Sequence, residues 1–373
     1  MKHLILFILG FVVVISSAQI VVTEKFILPT TIEETSGLIF YNGKLITHND
    51  SGNTPQLFEI DTLSNTITRT ITVTNANNID WEDITQDDNY IYIGDIGNNN
   101  GSRTDLKIYR IDKLQYDTNI SVTAEIIAFS YEDQIDFTPL PNANNWDAEA
   151  LFSYNGKLYV CTKEWVSEQT TAYEIPIAPG AHTAINKGVY DVQGLITGAT
   201  YSPDTGMLYL CGYSNLLQPF ITSSSGISEE NIFVGSQVKI ALSSLGFSQI
   251  EGITCVSSNR YFLSSEKNTQ VFVLDPKIYA FNTNDEVLDI SFTETPGMPI
   301  TYPNPVSDIL YIKFPNTITF SSYSIYNMSG SLVKDEVITV SRTQIDFSGL
   351  QSGIYFMYFH HERSYSSLTI IKK

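Results

Sequence analysis

Carboxylates recur at matched places along this chain. "DWEDIT" carries Asp80 and Glu82, "DAEAL" carries Asp147 and Glu149, and "IEGI" carries Glu251; Glu34 stands at a similar point earlier. One hairpin further on from each comes another acid: Asp50, Asp95, Glu164 and Glu266. Crowded acids repel, which raises some of their pKa values unless a cation compensates. A hard cation such as Ca²⁺, with oxygen ligands from Asp, Glu and Asn, would relieve them. Glu82, Asp95, Glu149 and Glu251 are the expected ligands, and Asn49, Asn53, Asn98 and Asn268 lie near enough in sequence to add neutral oxygens. Paired carboxylates, Glu82 with Asp95 or Glu149 with Glu164, also suit general acid–base work on a glycoside or phosphate ester. The competing reading is architectural: the acids cap strands and accept backbone N–H groups.

Other chemistry is sparse. Beyond the first residues the histidines are His48, His182, His360 and His361, and no pair has metal-ligand spacing. There is no Gly-x-Ser-x-Gly elbow and no phosphate-cradling loop. His48, in "THNDSGN" beside Asp50, is the one histidine placed to act as a base. The catalytic candidates are therefore Glu82, Glu149 and His48.

The elements that must position these residues are strands. Tyr and Phe are abundant, in short apolar runs split by Asn, Gly, Asp and Pro. "GLIFYNGKLIT" (37–47) recurs as "ALFSYNGKLYV" (150–160), each a strand, an Asn-Gly turn and a second strand. Weaker copies start at Asp83, Gly198 and Gly252. A third strand follows most of them ("QLFEID", "LKIYRID", "TAYEIP", "QVFVLD"), and often an outer fourth. No stretch beyond the N-terminal segment has helical periodicity. Four-stranded units repeated between about residues 33 and 282 specify an all-β chain with a β-propeller of five blades, six being the alternative count. "IVVTEKFIL" (20–28) is a spare strand suited to completing the last blade. A β-sandwich or β-helix is the competing architecture. In a propeller the first strand of each blade lines the channel. The residues before strand one and after strand two then share one end of it, so the acids gather on one face.

Composition agrees with an exported protein. Lys2-His3, the apolar run Leu4 to Ile15 and Ser16-Ser17-Ala18 have the layout of a secretory signal peptide (1–18), too short to span a bilayer. A net charge of −19 argues against nucleic acid and anionic membranes as partners. Cys161, Cys211 and Cys255 have neither metal nor redox spacing and read as small buried residues. A propeller over 19–282 is followed by a polar linker (283–299) and a small Ig-like sandwich of short strands (300–373).

That last segment opens with Tyr302-Pro303-Asn304-Pro305. It has a hairpin over Asn327–Gly330 followed by Leu332-Val333, then Ser352-Gly353-Ile354-Tyr355-Phe356, and ends on Lys372-Lys373. It resembles the type A C-terminal sorting domain of type IX secretion. The resemblance implies handling by that machinery through residues 300–373, transit through the periplasm, and release or attachment at the outer-membrane surface. The motifs "THNDSGN", "DWEDIT", "GDIGNN", "DAEAL", "TGATYSPDTG", "IEGI" and "SSEKN" resemble a family of exported bacterial propellers. More distantly they are similar to the esterase-like domain beside some phytases and to calcium-dependent lactonase propellers, which would imply a hydrolase with a channel cation. The expectation is a monomeric secreted propeller that binds a small-molecule or glycan ligand at an acidic face, with Ca²⁺ as the one cofactor considered. The alternative is a calcium-dependent hydrolase of phosphoesters, lactones or esters at that face.

Overall fold

Asn42-Gly43 and Asn155-Gly156 both have positive φ, 48° and 76° in the first turn and 48° and 73° in the second. Two consecutive left-handed residues give the turn twist that matches paired strands, so each Asn-Gly closes a two-residue hairpin. The computed structural model describes residues 20–269, 273–287, 299–313, 322–338, 342–361 and 364–373. The expected signal peptide, 1–18, and most of the expected linker lie outside them. The chain divides into two compact units, Met1–Val287 and Leu288–Lys373.

The first unit opens with β1 (Thr23–Ile27). Blade 1 follows with β2 (Thr35–Tyr41), β3 (Lys44–Asn49), β4 (Gln56–Asp61) and β5 (Thr66–Val73). Blade 2 has β6 (Trp81–Gln86), β7 (Tyr90–Asp95), β8 (Lys107–Asp112) and, after a short helix α1 (Lys113–Thr118) and β9 (Ser121–Val122), β10 (Glu125–Tyr131). The helix is one the periodicity does not signal; Asp112 caps it by accepting from Gln115 N. Blade 3 is β11 (Ala148–Tyr154), β12 (Lys157–Thr162), β13 (Thr170–Pro176) and β14 (Gly180–Tyr190). Blade 4 is β15 (Leu195–Ser202), β16 (Met207–Tyr213), β17 (Pro219–Ser225) and β18 (Ser236–Ala241). Blade 5 is β19 (Ile250–Ser257), β20 (Arg260–Ser265), β21 (Lys277–Asn282) and, as its outer strand, β1.

This is a five-bladed β-propeller. The inner strands β2, β6, β11, β15 and β19 adjoin in a closed cycle, and β1 pairs antiparallel with β21 from Thr23↔Ala280 to Ile27↔Lys277. Parallel pairing of β10 with β14 stitches blades 2 and 3 at the rim, and β9 pairs with β5. Five apolar clusters each fill the gap between two neighbouring blades. Both faces of a blade are thus covered, which is why inner strands such as β11 and β12 are buried almost throughout while the outer β18 is largely exposed.

The second unit has a sheet ordered β22 (Ile300–Tyr302), β23 (Ile309–Lys313), β26 (Arg342–Asp346) and another ordered β25 (Leu332–Val337), β24 (Ser322–Asn327), β27 (Gly353–His361), β28 (Ser364–Lys372). Val306, Leu310, Ile325, Phe347, Met357 and Phe359 form its core.

Candidate functional site

Strand register decides which side chains reach the propeller axis. Thr35, Trp81, Ala148 and Ile250 pair with Asn49, Asp95, Thr162 and Ser265. The next residue on each inner strand is Ser36, Glu82, Glu149 and Glu251, with Thr197 as the blade 4 equivalent. The residue following each second strand is Asp50, Ile96, Lys163 and Glu266, and Tyr213 holds that place in blade 4. One step deeper lie Gly37, Asp83, Ala150, Gly198 and Gly252.

The deeper ring is closely packed. Asp83 is fully buried, and its carboxylate accepts the N–H groups of Leu151 at 2.8 Å, Ala199 at 3.1 Å and its own neighbour Ile84 at 2.8 Å. One side chain thus ties blade 2 to blades 3 and 4. The small residues beside it are required by contact: a Cβ on Gly198 would lie 2.4 Å from the carbonyl oxygen of Glu251.

Above this plug is a cup with a cavity of about 160 Å³, lined by Asp50, Glu82, Glu149, Glu251 and Glu266 together with Lys163, Tyr213, Trp165, Asn99 and others. Glu82, Glu149 and Glu251 are 4%, 5% and 7% exposed. Their burial is compensated very unequally. Lys163 donates to Glu149 at 2.7 Å and to the Tyr213 hydroxyl at 3.1 Å, and its ammonium lies 4.7 Å from the Trp165 ring centre. No donor among the described residues reaches the carboxylates of Glu82, Glu251 or Asp80. Asp50, Asp80 and Glu82 bring one oxygen each within 4.8 Å of one another. Gly97 gives Asp80 and Glu82 room, since a Cβ there would fall 2.5 Å and 2.1 Å from their oxygens.

Electrostatics follow from this crowding. Burial first, and neighbouring acids second, push Asp80 up to about 7 and Glu266 up to about 7. Burial also raises Asp50 to about 6, and the same causes raise Glu82 and Glu251 well above the ordinary glutamate value. Burial raises Glu149 while Lys163 pulls it back. Lys163 is held charged, its burial outweighed by Glu149, Tyr213 and Glu251.

Several expected site residues are elsewhere. Asp95 precedes the cup position by one residue, so its side chain turns away; it takes Arg103 at 2.9 Å and the N–H of Asp80 at 3.2 Å. Glu164 lies one residue past Lys163 and accepts the hydroxyls of Thr162, Thr171 and Ser167. Asp147 is fully buried and accepts Asn98 N at 2.5 Å and the Trp165 indole N–H at 2.8 Å. These three acids hold loops instead of facing the cavity. His48 is fully buried edge-on to Trp81, and burial lowers it to about 4, so it is no base for a ligand in the cup. Asn49 and Asn98 spend their amides on backbone groups, and the amides at the cup are Asn99, Asn142 and Gln249. Lys163 escapes the acid pattern of the repeats because Glu164, the next residue, supplies the matching side-chain type. All three cysteines are free, two of them buried.

Residues 301–373 match the family described as the secretion system C-terminal sorting domain. No curated protein matches the chain. Among solved structures it is similar to PorZ, a surface component of the type IX secretion system of Porphyromonas gingivalis (14% identity, 91% of this chain and 45% of that one, TM-score 0.34). It is similar also to a PQQ-bound aldose sugar dehydrogenase from Streptomyces coelicolor (9% identity, 72% and 99%, TM-score 0.40). A third is an exo-β-1,3-galactanase from Phanerochaete chrysosporium (9% identity, 94% and 98%, TM-score 0.44). The sorting domain marks the chain for type IX secretion, to the cell surface or beyond it. Among the described residues no helix is long and apolar enough to cross a membrane.

Proposed function

We propose that this secreted propeller is a binding protein whose acidic cup takes a small cationic ligand, a metal ion or a compact amine. One observation carries the reading: Glu82 and Glu251 are buried carboxylates on the cavity wall that no donor of the described chain satisfies. Isolated buried charges of this kind are costly, and a ligand that neutralises them recovers that cost. Thermal unfolding of the purified chain with CaCl₂, MgCl₂ and small diamines tests it. A ligand at about 100 times its Kd adds roughly 2.7 kcal/mol of stability. The expected result is a raised Tm with at least one of these cations that Glu82→Gln weakens. Unchanged Tm with every cation would overturn the reading.

Hydrolysis at the same face is the second reading. It is favoured by the unequal acids there: Asp50, at about 6, is the better base, and Glu82, held higher, the better acid. Turnover in an ester and phosphoester screen that disappears in Glu82→Gln is its test.

A further inference from the structure

The far end of the inner strands, away from the cup, carries a second and larger cavity, about 730 Å³ against about 160 Å³. Ile39, Thr85, Ser153, Thr200 and Thr254 bring one residue from each of the five inner strands to its wall. Its size falls within the roughly 300–1,000 Å³ of small-ligand sites. Hydrogen bonds between blades hold the wall together. Gln86 of blade 2 donates its amide to the Phe40 carbonyl of blade 1 at 2.8 Å. Arg110 of blade 2 donates to the Ile177 carbonyl of blade 3 at 2.9 Å, and Thr200 of blade 4 accepts Cys255 N of blade 5 at 3.1 Å. A cavity built in this way loses little freedom when it is filled.

The charges on this wall are largely spent within the chain. Asp87 accepts the N–H groups of Asn89 and Tyr90, both at 2.8 Å, and the Tyr92 hydroxyl at 2.6 Å. Asp204 accepts the Ser258 hydroxyl at 3.0 Å. The Lys113 ammonium donates to the Asp87 carbonyl oxygen at 2.6 Å and lies 4.3 Å from the Tyr41 ring centre. Asp88 is the remaining charge, exposed on its turn. Three acids against one committed lysine make the wall unfavourable for phosphates and sulfates. What it offers a ligand is neutral. Among the described residues, the side chains of Thr85, Asn89, Ser153 and Ser257 make no hydrogen bond within the chain. Beside them the half-buried rings of Tyr154 and Tyr201 meet edge to face, with centres 4.9 Å apart. A neutral sugar matches that mixture, because its hydroxyls pair with amides and hydroxyls while its C–H faces pack on aromatic rings.

We propose that this cavity is a second binding site, at the opposite end of the propeller from the acidic cup, and that it takes a neutral oligosaccharide. Tyr154 and Tyr201 supply the packing surface, and the neutral side chains of blades 2, 3 and 5 supply the hydrogen bonds. The site does not depend on the cation reading of the cup.

Isothermal titration of the full chain with cellohexaose, xylohexaose, mannohexaose and laminarihexaose tests it, with a heparin-derived hexasaccharide as the anionic counterpart. At least one neutral sugar is expected to bind, and more tightly than the sulfated one. Tyr201→Ala should weaken that sugar by about tenfold or more, and Asn89→Ala by about threefold. Asn89 lies exposed on a turn, so its variant carries the test if Tyr201→Ala folds poorly. Failure of all four neutral sugars to bind would overturn the proposal. Binding that both variants leave unchanged would overturn the placement, and tighter binding of the sulfated hexasaccharide would overturn the ligand class.

Discussion

The two walls of the cup hold the same kind of acid in opposite circumstances. On the blade 3 wall Glu149 has an ammonium 2.7 Å away and that ammonium has a tyrosine hydroxyl and an aromatic face. On the blade 1 and blade 2 wall Asp50, Asp80 and Glu82 have one another. The difference teaches that burial alone does not assign a role. A buried acid with its own cation is part of the frame, and removing its partner should hurt. A buried acid without one is held in tension by the fold, and neutralising it should help.

Lys163→Met should break the comparison most visibly. It strands Glu149, and loss of one member of a buried pair costs about 3–5 kcal/mol, measured by urea unfolding of the full chain. A loss below about 1 kcal/mol would mean the two walls are alike. The pH dependence comes next. Glu266 keeps its proton to about 7 in the folded chain against 4.5 ordinarily, so folding takes up a proton across that interval. Stability of the cation-free chain should therefore fall as pH rises from 4.5 through 7, read as the midpoint of urea unfolding at each pH. At alkaline pH, where Glu82 has lost its proton, Glu82→Gln should stabilise the cation-free chain by about 1 kcal/mol, the opposite sign to Lys163→Met, and near neutral pH, where burial and the neighbouring acids keep Glu82 protonated, by less. Tyr213→Phe should have the smallest effect, a loss of about 0.5–1.5 kcal/mol, since it deletes one hydrogen bond and keeps the ring.

The blade pattern was legible because local signals and global fold agree. The Asn-Gly pairs fix two hairpins by φ alone, and the spare strand at 20–28 has one place to go in a closed ring. The acidic cluster was legible in part, since Glu82, Glu149 and Glu251 stand second on equivalent inner strands. Its membership was not. A strand alternates sides at every residue, so an alignment one position off sends Asp95 and Glu164 away from the axis and overlooks Lys163. Asp83 was present in "DWEDIT" as one acid among several. That its acceptors serve blades 3 and 4 depends on backbone atoms 68 and 116 residues away, which no local pattern encodes.

The pairing of β1 with β21 also sets an order in time. Thr23 is among the first propeller residues to be synthesised and Ala280 among the last, yet they are neighbours in blade 5. Until both are available, β21 presents an unpaired edge of the kind that recruits other chains. So distant a pairing is slow to form by chance encounter. For a protein that leaves the cell, the consequence is that β21 finds its partner only in a chain that carries both ends of the propeller.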